Sequence, residues 1–139
     1  MFQKDIEAAA TMMRRSTQTL VMTGAGISVE SGVPPFRGKG GLWEKHDPRM
    51  VEIGYFKTHP SESWHLMREL FYQLKGKVKP NRAHYILADM EAKGMVQNLV
   101  TQNVDMLHTE AGSKDVQEFH GSMKEVICLE CGATENVMR

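Results

Sequence analysis

Residues 19–28 read TLVMTGAGIS, a short apolar run that ends in a Gly-x-Gly turn. An apolar run of this length predicts a buried β-strand, which we place at about residues 19–23. Glycines at the end of a strand let backbone N–H groups approach a ligand without obstruction by a Cβ atom, as in phosphate-binding loops. The dinucleotide fingerprint requires a third glycine at the position of Val29. The segment therefore predicts a nucleotide site that differs from the site of dehydrogenases.

The elements around this strand predict an α/β fold with a parallel sheet. Helical periodicity is found at about residues 4–15, after Ser61 and after Asn81, and these two polar residues are candidate N-caps. In the second helix Trp64 falls at helical spacing and is expected in the core, and in the third Ala83, Ile86, Leu87 and Met90 would point inward. The apolar segments 98–101 and 116–119 are further candidate strands. The order strand, helices, strand, helix, strand is typical of a parallel sheet with crossover helices. Ligands of such sheets bind beyond the carboxyl ends of the strands.

Polar clusters follow all three predicted strands. They are the glycine loop (residues 24–32), the run Gln102–Asp105, and His120. Taken alone, Asp105 would be a helix N-cap and His120 a hydrogen-bonded histidine at a strand end. His108 is interpreted as packing or capping a helix, and His84 as a surface or packing residue. Because the carboxyl ends of parallel strands share one edge of the sheet, we expect the three clusters to lie together and to form a site.

The composition is that of an ordinary globular domain. The 139-residue chain is 41% hydrophobic and 24% charged, with a formal net charge of zero. The balance of charges indicates no direct nucleic-acid binding, and no apolar run approaches the roughly 20 residues that span a bilayer. The first residues lack the pattern of a secretory signal, so we expect a cytoplasmic protein. The oligomeric state is left open.

The two cysteines of the chain form the motif Cys128-x-x-Cys131, which is followed by Gly132. Two neighbouring cysteines do not make a disulfide framework. Structural zinc sites take four ligands, commonly from two such pairs, so the motif indicates half of a zinc site. A redox-active dithiol is the alternative.

Taken together, these motifs resemble those of the sirtuin family, the NAD-dependent protein deacylases. The resemblance covers essentially the whole chain, and the matching segments follow the order of the family. They are GAGIS at 24–28, SGVP at 31–34, FRG at 36–38, GLW at 41–43, TQNVD at 101–105, LH at 107–108, AG at 111–112, FHGS at 119–122 and the cysteine motif.

The resemblance implies a Rossmann-like NAD-binding domain and the start of a zinc-ribbon module. The NAD-binding part would cover residues 1–121, with a loop and helical insertion at about 38–80. The zinc-ribbon module would begin at residues 122–139, where Cys128 and Cys131 would supply half of the ligands of a structural zinc ion.

The implied reaction removes an acyl group from a lysine side chain of a protein substrate. Nicotinamide leaves NAD, the acyl oxygen attacks the vacated ribose carbon, and the products are lysine, nicotinamide and O-acyl-ADP-ribose. An oxocarbenium-like transition state needs nearby oxygen acceptors and the exclusion of water. The resemblance assigns His120 as the general base on a ribose hydroxyl and Asn103 as a second catalytic residue. Histidine suits the first role because its ordinary pKa lies near neutrality.

The resemblance also implies which residues contact NAD, and they lie in three segments. Those of the glycine loop are Gly24, Ala25, Gly26 and Ser28. Phe36 would cover the reactive ribose carbon, and Arg37 would lie beside the dinucleotide. After the second strand, Gln102 and Asn103 would hold the nicotinamide ribose and an ordered water, and Asp105 would bind the nicotinamide carboxamide.

The helix after Ser61 bears on the acyl group. Relatives that remove acidic acyl groups carry a Tyr-x-x-Arg pair there, and an ungapped alignment places Met67 and Leu70 at those positions. Apolar side chains cannot compensate a buried carboxylate, whose burial without a partner costs several kcal/mol. We therefore expect acetyl or longer apolar acyl groups to be preferred.

The chain ends at Arg139, before a second cysteine pair and before the segments of the family that hold the far phosphates and the adenosine. We expect a fragment of a longer enzyme, inactive alone and prone to association, rather than a natural half-length product. Two other functions stay open: a protein ADP-ribosyltransferase, and a non-catalytic module that binds NAD or ADP-ribose.

Overall fold

The computed structural model describes residues 2–74 and 76–137. Its helices and strands, in chain order, are α1 (Phe2–Arg15), β1 (Leu20–Thr23), α2 (Ile53–Thr58), α3 (Pro60–Leu70), α4 (Arg82–Ala92), β2 (Asn98–Thr101), α5 (Leu107–Glu110), β3 (Val116–Glu118), β4 (Glu125–Ile127) and β5 (Thr134–Asn136). Short 3₁₀ helices cover Ala25–Ser31, Leu42–Glu44, Pro48–Val51 and Tyr72–Leu74.

The predicted parallel sheet is confirmed. Strands β1, β2 and β3 lie side by side in that order and all run parallel. Thr23 at the end of β1 is paired with Thr101 at the end of β2, and Thr101 is paired with Glu118 at the end of β3. The three carboxyl ends therefore meet at one edge, which we call the strand tips. Strands β4 and β5 form a separate antiparallel hairpin, and a domain boundary between residues 121 and 122 stays a prediction.

The sheet is covered on one face only among the described residues. Side chains alternate between the two faces of a strand, and in β2 the buried members are Leu99 and Thr101. The core around them also contains Leu66, Leu70, Val96 and Leu107. On β1, by contrast, Leu20 is 62% exposed and Met22 is 60% exposed. The expectation of a buried first strand was therefore wrong for Leu20 and Met22, because these side chains point away from this core.

Two helices differ from their predicted packing. Helix α3 begins at Pro60 after His59 rather than at a Ser61 cap, since proline suits the first position of a helix. Its Trp64, predicted to point inward, is 41% exposed. Helix α1 shows the predicted helical span, but none of its residues is buried.

Helix α4 has its predicted cap but a different buried face. Asn81 caps it, and its side chain accepts a hydrogen bond from the N–H of Ala83 at 2.9 Å. Ala83 and Ile86, predicted to point inward, are exposed, whereas His84 is fully buried.

Two glycines shape the chain between β1 and the insertion. Gly32 ends the 3₁₀ helix that follows β1, with a φ of 93° that side chains rarely adopt. At Gly41 a Cβ atom would lie 2.9 Å from backbone atoms of Phe36, Arg37 and Gly38. Only glycine permits this close approach, which folds the segment back on itself and turns Phe36 toward the strand tips.

Within residues 2–74 and 76–137, no helix combines the length and the apolar character that crossing a bilayer requires.

Candidate active site

Two threonine hydroxyls join the neighbouring ends of β1 and β2. The Thr23 hydroxyl donates to Thr101 Oγ1 at 2.9 Å, and both side chains are buried. Thr101 Oγ1 also accepts the backbone N–H of Asn103 at 3.1 Å. The N–H of Gln102 donates to the carbonyl of Thr23 at 3.0 Å. These bonds hold the run Gln102–Asp105 against the start of the glycine loop.

Ser28, Asn103 and Asp105 form one hydrogen-bonded cluster, which we call the amide–carboxylate cluster. The Ser28 hydroxyl donates to Asp105 Oδ2 at 2.6 Å and accepts from Asn103 Nδ2 at 3.1 Å. Asn103 Nδ2 also donates to the carbonyl of Gly24 at 3.2 Å. Ser28 is fully buried and Asn103 is 6% exposed. The cluster therefore fixes the side chains of three predicted site residues relative to one another.

Asp105 lies one residue before the N-cap position of α5, which is Met106 with a φ of 64°. The expectation that Asp105 is the N-cap was therefore wrong by one residue. Its Oδ1 atom still accepts the backbone N–H of Leu107, the first residue of α5, at 3.0 Å. Both carboxylate oxygens are thus engaged, one with the helix and one with Ser28.

Gly24 and Gly26 leave open space at the strand tips. A Cβ atom added at either residue would meet no protein atom within 4 Å, and neither residue has a positive φ. The protein's own packing and backbone therefore do not require glycine at these two positions. A ligand that approaches the backbone closely would use this space, which is the arrangement of a phosphate-binding loop.

A small, partly open cavity of about 50 Å³ lies beside the cluster. Ala25, Phe36, Asn103 and Asp105 contribute to its wall, together with mainly apolar side chains such as Leu70 and Leu107. The ring of Phe36 is held by Trp43, with 5.4 Å between the ring centroids, and by Phe71 at 6.4 Å. An apolar pocket with a few converging polar groups is the usual form of a small-molecule site.

His120 also lies at the strand tips. Its Nδ1 atom is 3.1 Å from the carbonyl oxygen of Gln102. A carbonyl oxygen only accepts, so Nδ1 carries the ring hydrogen of the neutral form and Nε2 keeps a lone pair. The side chain is exposed, and its ring packs edge-on against Phe119. Nε2 can therefore accept a proton from a ligand at this edge.

Two other predicted site residues stand apart from the hydrogen-bonded cluster. The side chains of Arg37 and Gln102 are exposed. Arg37 belongs to the turn that Gly41 closes, next to Phe36. Gln102 contributes its backbone to the strand tips, bonding Thr23 and His120.

A larger cleft of about 900 Å³ lies between α2, α3 and the β4–β5 hairpin. Its wall includes Phe56, Met67, Phe71, Met123 and Cys128. Met123 also lines the small cavity, so the two spaces are neighbours. The cleft is open enough to receive an extended ligand beside the strand tips.

The cysteine motif occupies the turn of the β4–β5 hairpin. Both cysteines are exposed and unpaired. The backbone N–H groups of Cys131 and Glu130, with the Cys131 thiol, hydrogen-bond to the Cys128 thiol and hold its pKa below the ordinary value. This favours a thiolate, the form that binds metals. Among the described residues, no group of three or more metal-ligating side chains is found.

Sequence reasoning missed four residues at the base of this site: Thr23, Thr101, His84 and His108. The two threonines end predicted strands, and that position was the signal that could have identified them. His84 was assigned to the surface or to packing, and His108 to packing or capping of a helix. The structure shows both side chains buried, with His108 Nε2 at 2.9 Å from the hydroxyl oxygen of Thr23.

The parallel sheet, the glycine loop and the cavity beneath Phe36 define a Rossmann-like α/β domain. Comparison with known families agrees, since the model of the Sir2 family matches residues 24–139. The chain belongs to the Sir2 family.

Curated relatives of known name are similar along most of the chain. The NAD-dependent protein deacylase 2 of Archaeoglobus fulgidus is 46% identical over 135 residues, which cover 95% of this chain and 52% of the relative. The NAD-dependent protein deacetylase of Thermotoga maritima is 41% identical over 120 residues, with coverages of 86% and 48%. The chain thus spans about half the length of the curated relatives that it matches.

Solved Sir2 structures share the fold. One, of a Sir2 variant with a deacetylated p53 peptide and 3'-O-acetyl ADP-ribose, matches with a TM-score of 0.89 at 37% identity, covering 95% of this chain and 53% of that one. Another, of a Sir2 homologue variant in complex with ADP-ribose, has a TM-score of 0.87 at 38% identity and covers 94% and 53%.

Proposed function

We propose that the protein is an NAD-dependent protein-lysine deacylase that converts an acyl-lysine side chain, NAD and one water molecule into lysine, nicotinamide and O-acyl-ADP-ribose. Membership of the Sir2 family and the names of the similar proteins support the proposal. The observation that carries it is the meeting of three features at the strand tips: the open glycine loop, the amide–carboxylate cluster and His120. Acyl-lysine side chains of proteins are the proposed substrates.

The residues present fit NAD. The space above Gly24 and Gly26 would receive phosphate groups, and the cavity walled by Phe36, Asn103 and Asp105 would receive the nicotinamide end. NAD, when bound, supplies the ribose carbon to which the acyl oxygen of the substrate bonds after nicotinamide leaves. Arg37 would lie outside this cavity, beside the dinucleotide.

The chain's own residues would orient the ligands and move one proton. Asn103 has both amide hydrogens engaged with Gly24 and Ser28, which leaves its Oδ1 as the acceptor for a water or a ribose hydroxyl. The ring of Phe36 would exclude bulk water from the cavity, where electrostatic interactions then gain strength. His120 would accept the proton of a ribose hydroxyl at Nε2, while its Nδ1 stays bonded to Gln102.

The test is the product formed by the protein encoded by the whole open reading frame, which we call the whole-frame protein. It is incubated with NAD and an acetyl-lysine peptide, and the products are identified by mass spectrometry. Deacetylated peptide with O-acetyl-ADP-ribose supports the proposal. Peptide or protein that carries ADP-ribose would indicate a transferase instead. Calorimetric binding of NAD without turnover would indicate a non-catalytic module.

Acyl preference gives a first specific prediction. Met67 lines the large cleft, whereas Leu70 is 4% exposed and lines the small cavity, so neither offers a partner for a carboxylate. We expect the whole-frame protein to have a kcat/KM at least about tenfold higher for acetyl-lysine than for succinyl-lysine peptide, because an unpaired buried charge costs more than 1.4 kcal/mol. Met67→Arg is expected to narrow this ratio, and Met67→Leu is the matched control. Faster removal of succinyl would contradict the expectation.

Zinc is the second specific prediction. The Cys128 and Cys131 thiols share one turn and one of them is stabilised as a thiolate, which fits two of the four ligands of structural zinc. We expect about one zinc ion per whole-frame protein by elemental analysis. Cys128→Ser should lose it, and the control Glu130→Gln should keep it. A metal-free protein with a reversible Cys128–Cys131 disulfide would support a redox dithiol instead.

A further inference from the structure

Two imidazoles are buried beneath the candidate site, and neither belongs to the residues proposed to contact NAD. His84 of α4 is 0% exposed and His108 of α5 is 1% exposed. Their ring centroids are 4.8 Å apart, with 57° between the planes. Histidine is costly to bury unless its nitrogens are bonded, so this pair requires an explanation.

His108 bonds the hydroxyl bridge between β1 and β2. Its Nε2 atom is 2.9 Å from Thr23 Oγ1. The Thr23 hydroxyl has a single hydrogen, and either hydroxyl of the bridge can donate to the other, so the bridge alone does not fix the tautomer of His108. If Thr23 donated to Nε2, the ring hydrogen would lie on Nδ1, which is buried and has no acceptor among the described residues. The arrangement that avoids an unpaired donor has Thr23 accepting from Nε2–H, with Nδ1 bare.

His84 bonds the cap of its own helix. The backbone N–H of Asn81 donates to His84 Nδ1 at 3.3 Å, so His84 also carries its ring hydrogen on Nε2. The Asn81 side chain continues the network, since its Nδ2 donates to the carbonyl of Ile27 at 2.7 Å and to Ser31 Oγ at 3.0 Å. His84 is thereby linked to the far end of the glycine loop.

Two ring nitrogens remain without a hydrogen-bond partner among the described residues, His84 Nε2 and His108 Nδ1. With the ring hydrogens assigned as above, the first is a donor and the second an acceptor, and they belong to neighbouring rings. A proton added to His84 Nδ1 would displace the N–H of Asn81. A proton added to His108 Nδ1 would create a second buried N–H without an acceptor. The network therefore favours two neutral rings.

The electrostatic surroundings agree with neutral rings. Burial lowers the pKa of His84, and burial followed by repulsion from His84 lowers the pKa of His108. The carboxylate of Asp105 raises the pKa of both rings, and the carboxylate of Glu91 raises the pKa of His108. These effects are smaller than the effect of burial, so both pKa values stay below the ordinary value. Below the ordinary histidine pKa of 6.5, the unfolded chain thus binds protons that the folded chain excludes. The stability that the pair contributes is complete above pH 6.5 and declines as the pH falls.

We propose that His108, in a tautomer matched by His84, is a positioning residue that holds the Thr23–Thr101 bridge and through it the backbone of Asn103. The pair also connects the two ends of the site, because Asn81 extends the same network to the glycine loop. The inference rests on the proposed function only for the identity of the ligand, NAD.

The direct test is the protonation state of the rings, measured in this chain by long-range ¹H–¹⁵N NMR across a pH titration. We expect His84 and His108 to show the neutral Nε2–H form and to resist protonation as the pH falls below the ordinary histidine pKa of 6.5. An Nδ1–H tautomer of either ring, or ordinary titration of both, would overturn the proposal. This result does not depend on any activity.

The second test uses paired variants of the whole-frame protein, with NAD affinity measured by calorimetry. His108→Leu cannot donate to Thr23 and is expected to weaken NAD binding at least about tenfold, the effect of one buried hydrogen bond left unmade. His108→Gln places an amide N–H near the position of Nε2 and should restore most of the affinity. Thr23→Val should match His108→Leu, Thr23→Ser should resemble the wild type, and the double variant Thr23→Val/His108→Leu should be no weaker than either single one.

The third test measures folding stability as a function of pH, and it does not require His108→Leu to fold. The measured quantity is the ratio of the folding equilibrium constant of the wild-type chain to that of His108→Gln. This ratio should fall by up to about tenfold for each pH unit below the ordinary histidine pKa, because the unfolded wild type binds a proton at His108 and glutamine does not. Equal pH dependence of the two chains, or a His108→Gln variant as impaired in NAD binding as His108→Leu, would overturn the proposal. Loss of NAD binding by the wild-type protein itself would count against the proposed function and would leave the NMR result standing.

Discussion

Replacement of His120 with alanine is expected to reduce the deacylation rate of the whole-frame protein by about 10²- to 10⁴-fold, the usual contribution of a general base. The imidazole is the proposed proton acceptor, and its orientation is set by the bond from Nδ1 to the carbonyl of Gln102 at 3.1 Å. Alanine leaves no acceptor near a ribose hydroxyl at the strand tips. The rate is measured with an acetyl-lysine peptide at saturating NAD, so that a change in affinity does not enter the comparison.

A second measurement distinguishes loss of the general base from a general loss of the structure of the active site. In the proposed reaction, nicotinamide leaves before the proton transfer that is assigned to His120. His120→Ala should therefore still exchange labelled nicotinamide into NAD in the presence of peptide. His65→Ala is the matched control, because His65 is an exposed histidine on α3, remote in sequence from the strand tips. A His120→Ala variant that keeps more than about a tenth of the wild-type turnover would contradict the assignment.

Replacement of Asp105 with alanine is expected to lower the free energy of unfolding by about 2–4 kcal/mol and to abolish turnover. The change removes the acceptor of the Leu107 N–H at the start of α5, worth about 1 kcal/mol, and leaves the fully buried hydroxyl of Ser28 without its acceptor, worth about 1–3 kcal/mol. For a chain of this size we expect the melting temperature to fall by about 10 °C. Calorimetry and denaturant unfolding measure both quantities.

Two further variants separate the roles of this carboxylate. Asp105→Asn can still accept the N–H of Leu107 but cannot accept the hydroxyl of Ser28 in the same way, so its stability should lie between those of the wild type and Asp105→Ala. Asp89→Ala is the control, because its exposed pair with Lys93 on α4 contributes at most about 0.5 kcal/mol. If Asp105→Ala were as stable as Asp89→Ala, the cluster would not hold the loop as described.

The sequence was sufficient to predict the fold class and the edge of the sheet at which the site lies. Apolar runs located β1 and β2, and the order of elements predicted their parallel pairing. Asn81 was identified as a helix cap from residue type alone, because its side chain is favoured at such positions. Asp105 was predicted in the same way, but it lies one residue before the N-cap Met106 and bonds the N–H of Leu107. Local rules of this kind succeed where a side chain bonds backbone within a few residues.

The packing of the helices could not be predicted in the same way. In α4 a period of 3.6 residues suggested that Ala83 and Ile86 point inward, but the buried residue is His84. Periodicity counts apolar side chains, whereas His84 is buried by bonds to Asn81 and by a neighbouring ring on α5. The partner of a polar side chain 24 residues away cannot be recognised from spacing, so the base of the site was missed.

Exposure of the sheet was the other difference. The strand pattern predicted a buried β1, yet Leu20 and Met22 are exposed on the face opposite to the core. Whether a face is covered depends on elements distant in the chain, and a four-residue strand contains no information about them. The expected tendency to associate through uncovered apolar surface stays a prediction.

The central claim is that the glycine loop, the amide–carboxylate cluster and His120 surround one glycosidic bond. A crystal structure of the whole-frame protein with NAD tests it most directly. The predicted result has the nicotinamide in the cavity beside Phe36 and Asp105, phosphate oxygens against Gly24 and Gly26, and a ribose hydroxyl within hydrogen-bond reach of His120 Nε2. NAD bound elsewhere, or with its nicotinamide ribose out of reach of both Asn103 and His120, would contradict the claim.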